Sequence, residues 1–97
     1  MYCVSVRFQV DPESFAAFVA RTEQQASDSL AREAGCRRFE VWTNAARPGE
    51  VLLHEVYADA AAFAAHLASD HFRAYDADTT AQIRDKSVSL WDRRHAP

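Results

Sequence analysis

The sequence predicts an α+β fold of the ferredoxin-like β-α-β-β-α-β type, and three observations carry that prediction. Strict alternation opens the chain: Tyr2, Val4, Val6, Phe8 and Val10 fall on one face and Cys3, Ser5, Arg7 and Gln9 on the other, the pattern of a half-buried strand. An apolar stripe at helical spacing follows. Two further alternating stretches are then joined by a short loop holding Pro48-Gly49, and helical and strand patterns close the chain. That order is the split β-α-β unit, one four-stranded antiparallel sheet with helices on a single face.

Each element has its own signal. After the first strand, Asp11-Pro12-Glu13 reads as a helix start, with Asp11 as N-cap and Pro12 at the first helical position. Phe15, Phe18, Val19, Thr22, Ala26 and Leu30 form the apolar stripe of that helix, opposite Arg21, Gln25, Asp28 and Arg32. Gly35 is expected to close it at C′. The second strand reads as Cys36 to Thr43, the loop as Asn44 to Glu50, and the third strand as Val51 to Tyr57. Asp59 caps a short Ala-rich helix through Ala68. Ser69-Asp70 caps another that carries Phe72, Tyr75, Thr79 and Ile83 on one side. Lys86 to Arg93 reads as the last strand, and residues 94–97 as a mobile tail.

Ninety-seven residues make one domain, 1–97. So short a chain has a modest core of its own. In this topology the second face of the sheet is left bare, and the same sheet of a second copy is its simplest cover, so a homodimer is expected. The first strand should lie between the third and fourth. Cys3 and Cys36 are then not neighbours, and they read as free, buried thiols.

Composition narrows the function. A net charge of −3 with no Lys/Arg run points away from nucleic acid; ten of the eleven basic residues are Arg, but scattered. No apolar run approaches the ~20 residues of a membrane span. The strand-like N-terminus, MYCVSVRFQV, does not read as a signal peptide. A cytoplasmic location is expected. Only two glycines, Gly35 and Gly49, leave no dinucleotide fingerprint and no phosphate-cradling loop, so no resident flavin or nucleotide domain is expected, and any catalysis is expected to use side chains or the substrate's own reactivity.

The chemistry concentrates between Val51 and Tyr75, which holds His54, His66 and His71. His54 alternates to the strand face opposite Glu55 and reads as an edge or interface residue. Glu55 sits mid-strand among apolar neighbours; a buried carboxylate needs a partner, and His66 is a candidate. His66 lies on the flank of its helix's apolar stripe. His71 falls in the first turn after Ser69-Asp70, where the positive helix end disfavours an imidazolium. Tyr57, Trp42, Trp91, Phe72 and Tyr75 are expected to line a cavity between sheet and helices, although aromatics at such spacings also build plain core. The break at residues 69–70 removes the i, i+4 geometry that would let His66 and His71 share a metal, and no metal site is expected.

The pattern Gly35-Cys36-x-x-Phe39-x-Val41, then Glu55-x-Tyr57, His66 and His71-Phe72, resembles the antibiotic biosynthesis monooxygenase (ABM) domain family. Within it the chain is especially similar to the small quinol-monooxygenase-like proteins and to the isomerase that processes phosphorylated autoinducer-2. Members often carry Asn where this chain has Cys36 and Trp where it has Tyr57. The resemblance implies a dimeric α+β barrel, and oxygenation of polycyclic aromatic or quinol substrates without flavin, metal or haem. It also implies that Glu55, Tyr57, His66 and His71 occupy pocket positions.

The expectation is a cofactor-independent monooxygenase for a small phenolic or quinol substrate. His66 or His71 is expected as base, Glu55 as its orienting partner and Tyr57 as donor to a developing oxyanion, with Trp42, Phe72, Tyr75 and Trp91 binding substrate. Dioxygen is the expected co-substrate. Isomerisation of a small hydroxy-ketone, haem binding as in haem-degrading relatives, and a non-enzymatic dimeric binding module are the alternatives.

Overall fold

Alternation and capping place the elements close to where the sequence puts them. A computed structural model describes residues 1–96 of the chain. The elements are β1 (Tyr2–Val10), α1 (Phe15–Arg32), β2 (Cys36–Trp42), β3 (Glu50–Tyr57), α2 (Ala60–Ala68), α3 (Asp70–Thr79) and β4 (Ile83–Trp91). The four strands form one antiparallel sheet in the order β2-β3-β1-β4, the ferredoxin-like arrangement, with β1 between β3 and β4. Of the tail expected over 94–97, Pro97 lies outside the described residues.

The core is the helix-facing side of the sheet. Val4, Val6, Phe8 and Val10 of β1, Val51 and Leu53 of β3 and Phe39 of β2 are buried against Phe18 and Ala26 of α1. Each of these Val, Leu and Phe side chains contributes about 1.5–3 kcal/mol on burial. Caps set the short helices: Asp59 Oδ1 accepts from Ala62 N at 2.8 Å, and Ser69 Oγ from Phe72 N at 3.2 Å.

Four local expectations change. Asp11 makes no side-chain cap; its carboxylate accepts from Arg84 Nη2 at 2.6 Å, so an ion pair replaces the cap. Ile83 belongs to β4 and not to the α3 stripe. A 3-10 turn over Thr80–Gln82 ends the helix early, and Ile83 pairs with Val10. Gly35 is not a left-handed cap residue, because Gly49 (φ 81) is the one described residue at positive φ. Gly35 is instead a close approach: a Cβ there would meet Ala62 Cβ at 2.5 Å, so its missing side chain lets α2 sit on the α1–β2 turn. The buried face of α1 is also rotated from the expected stripe. Phe18, Thr22, Gln25, Ala26 and Ser29 point inward, while Leu30 is exposed.

The helices sit over the β2–β3 side of the sheet. Val88 and Leu90 of β4 pair with Val6 and Val4 and share their helix-facing side, yet stay 48% and 51% exposed. This uncovered edge flanks the site described next.

Candidate active site

α1 brings a polar ladder into the gap between helices and sheet. Gln25, Ser29 and Glu33 follow one another at i, i+4 and i+8 on one helical face, the last at the C-cap just past Arg32. Glu33 meets both imidazoles of the α2–α3 junction, His66 and His71. Its Oε2 accepts from His66 Nδ1 at 2.9 Å. It also lies 2.9 Å from His71 Nε2, an ion-pair distance without hydrogen-bond alignment. Gln25 Nε2 lies 3.1 Å from His71 Nδ1 and donates to Ser29 Oγ at 3.3 Å.

These contacts determine proton positions. A carboxylate against Nδ1 requires the proton there, which leaves the His66 Nε2 lone pair without a partner among the described residues. An amide donor against His71 Nδ1 places that ring's proton on Nε2, toward Glu33. His66 is 2% exposed, packed among Phe39, Tyr57, Phe63 and Phe72 with ring centroids 4.9–6.1 Å away. Burial lowers its pKa, while the hydrogen bond and charge of Glu33 pull it back up.

Glu55 is the second proton-handling group. It is buried in β3, and desolvation raises its carboxyl pKa to about 7, against the opposing hydrogen bond from Tyr57 and the charge of Lys86. Tyr57 Oη donates to Glu55 Oε1 at 2.5 Å. Burial first, then the neighbouring Glu55, raises the Tyr57 pKa far above the ordinary range.

A cavity of about 50 Å³ lies between these groups, lined by Glu55, His66, Gln25, Phe72, Tyr75 and, toward the uncovered edge, Lys86 and Val88. Gln25 is fully buried, and its Oε1 has no partner. Thr22 Oγ1 donates to Phe18 O at 2.7 Å, so it receives the Tyr75 hydroxyl at 2.9 Å. The Tyr75 ring lines the wall while its proton is committed elsewhere.

The structure therefore brings His66, Glu55, Phe72 and Tyr75 to one cavity, with His71 behind it through Glu33 and Tyr57 beneath Glu55. The carboxylate that orients His66 is Glu33, not Glu55, whose bonded partner is Tyr57. Tyr57 has its proton on Glu55 and is not a free donor to a ligand. Trp42 and Trp91 do not line this cavity: both lie on the opposite sheet face, each 57% exposed, because alternation carries them there with Glu40 and Cys3. Sequence reading missed Glu33, Gln25 and Ser29. Their i, i+4, i+8 spacing was the available signal, continuing the face of Phe18 and Thr22. Among the described residues, no group of three or more His, Cys, Asp and Glu side chains is placed to hold a metal ion, and no helix is long and apolar enough to cross a membrane.

The profile of the antibiotic biosynthesis monooxygenase family matches residues 1–78. The chain belongs to the antibiotic biosynthesis monooxygenase family. The matched stretch contains every residue named above as lining or bordering the cavity except Lys86 and Val88 of β4. Solved structures share the fold. A putative antibiotic biosynthesis monooxygenase from Nitrosomonas europaea superposes with a TM-score of 0.90 at 23% identity, covering 98% of this chain and 100% of that one. One from Caulobacter crescentus gives 0.91 at 22% identity over 97% and 90%, and one from Bacteroides thetaiotaomicron 0.84 at 26% over 97% and 88%. Likeness at this level of identity speaks for the ABM fold. No curated protein matches the chain.

Proposed function

We infer that this ABM domain is a cofactor-independent monooxygenase acting on a small phenolic or quinol-type substrate, with His66 as general base. The observation that carries the reading is the free Nε2 of a buried, neutral His66 whose tautomer is held by Glu33, in a cavity shared with a carboxyl that titrates near neutrality. His66 Nε2 takes the proton of a substrate hydroxyl. The phenolate or enolate left behind is the electron source for dioxygen. Protonated Glu55, held on one oxygen by Tyr57, presents its other oxygen as a hydrogen-bond donor to charge developing on the substrate or on reduced oxygen. The same base and acid suit isomerisation of a hydroxy-ketone, in which the proton taken by His66 is replaced at a neighbouring carbon.

Space sets a condition. A cavity of about 50 Å³ holds dioxygen or a water or two, well below the ~300 Å³ at which small-molecule pockets begin. The body of a substrate must therefore displace Phe72 and the half-exposed Leu67 at the α2–α3 junction, or enter beside Val88 and Lys86. The function also includes a homodimer through the sheet face that carries Trp42, Leu52 and Trp91, all exposed in a single copy. Oxygen uptake with a panel of quinols tests the reading. Wild type is expected to consume oxygen and His66→Ala to lose that activity by about 10²-fold or more; equal rates in both proteins remove His66 from the mechanism.

A further inference from the structure

Lys86, the only lysine in the chain, is the one fixed cation among the residues that line the cavity beside His66. In the β1–β4 ladder it pairs with Phe8, while Val88, next on the same face, pairs with Val6. Phe8 and Val6 belong to the buried, helix-facing side of β1. Lys86 and Val88 therefore lie on the side opposite Trp42 and Trp91, and a dimer through that outer face does not use them. Lys86 Nζ is 5.7 Å from the centroid of the Phe8 ring, which holds the ammonium over the cavity edge. Among the described residues it meets no carboxylate at ion-pair distance. Glu55 shares the lining, yet its bonded partner is Tyr57 and its carboxyl titrates only at about 7. Leu67 and Val88, both half-exposed, give the mouth an apolar wall. Deeper in, two acceptors lack a partner among the described residues: the His66 Nε2 lone pair and the fully buried Gln25 Oε1.

We propose that the substrate of this site is a dihydroxyaryl carboxylate whose ring enters beside Val88, with its carboxylate on Lys86 and its hydroxyls donating to His66 and Gln25. The proposal rests on the role of His66 given above and adds the substrate class to it. A lysine is a point charge on a flexible stem, suited to a carboxylate that stays at the wet mouth while the ring goes in. Sinking that carboxylate beside Glu55 would strip its water without a paired cation. One hydroxyl satisfies His66 as base, and a second relieves the unpaired Gln25 carbonyl.

Calorimetry under nitrogen, at pH 6.5 and low salt, measures binding without turnover. 2,5-Dihydroxyphenylacetate is expected to bind about fivefold more tightly than its neutral isostere 2,5-dihydroxyphenylacetamide, and that preference to shrink in about 0.5 M sodium chloride. Lys86→Gln, at an exposed position, should bring acid and amide within about twofold at an unchanged melting temperature. 3-Hydroxyphenylacetate, one hydroxyl short, should bind wild type about tenfold more weakly than the dihydroxy acid. Equal affinities for acid and amide, a preference that survives Lys86→Gln, a monohydroxy acid bound as tightly, or no binding of the dihydroxy acid would overturn the proposal. Oxygen uptake in air is scored separately. The expected binding pattern without uptake keeps the carboxylate site and removes the oxygenase reading; uptake that His66→Ala abolishes, with no acid preference, does the reverse.

Discussion

Glu33 decides what His66 can do. Without its carboxylate, only the Ser29 hydroxyl, 3.5 Å from Nδ1, faces that nitrogen, and two contributions that raise the His66 pKa disappear. Glu33→Gln is therefore expected to lower kcat/KM by about 10²-fold and to move the acid limb of the pH–rate profile to lower pH. A lowered rate with an unmoved limb would reduce Glu33 to a packing role. Glu55 makes a separate prediction about stability. Its carboxyl pKa is raised from the ordinary 4.5 to about 7, so the folded state holds a proton that the unfolded chain releases. The stability this gives is fully present below about pH 4.5 and is lost as pH rises through about 7, on the order of 3 kcal/mol. His66 runs the other way: its lowered pKa costs stability as pH falls below the ordinary 6.5. The comparison that isolates Glu55 is the melting temperature of wild type minus that of Glu55→Gln. That difference should shrink steadily from pH 4.5 to 8, and a flat difference would mean Glu55 ionises normally.

Among the elements, the contact between α2 and the α1–β2 turn is the least forgiving. An added Cβ at Gly35 would sit 2.5 Å from Ala62 Cβ, and overpacking of this kind costs about 1–3 kcal/mol. Gly35→Ala is expected to destabilise by that amount in chemical denaturation. Ala62→Gly should recover much of the loss when combined with it, despite its own cost of about 1 kcal/mol in a helix interior. Strict additivity of the two changes would show that the clash is relieved elsewhere. The same contact matters for the site, because α2 carries His66 and the turn carries Glu33.

For the whole molecule, the bare sheet face is the dominant unresolved surface energy of a single copy. Trp42 and Trp91 are more than half exposed there, with Leu52 between polar neighbours such as Ser5 and Arg7, and a chain of this size has little core in reserve. Obligate interfaces bury about 2,000 Å² or more, enough to couple folding to association. Light scattering at micromolar concentration should give twice the 10.9 kDa chain mass, and the melting temperature should rise with protein concentration. A monomeric mass with a concentration-independent melt would remove the dimer.

The strands and the caps at Asp59 and Ser69 were legible in the sequence because each depends on neighbours one to four residues away, and the strand order followed from the β-α-β-β-α-β succession of elements. Alternation alone placed Glu55 and Tyr57 on the helix-facing side and His54 on the other. The same alternation puts Trp42 and Trp91 on the outer face, and aromatic character by itself does not bring a side chain into the cavity. What the sequence could not decide was the rotation of α1 about its axis. A helix with Leu30 on one flank and Gln25 on the other can bury either, and packing against the sheet and α3 chose Gln25, Ser29 and, at the helix end, Glu33. That choice gave His66 its partner and left Glu55 to Tyr57. Tertiary structure likewise set the size of the cavity and the exposure of Val88 and Leu90, since both follow from where the helices stop across the sheet. No local pattern in β4 records that boundary.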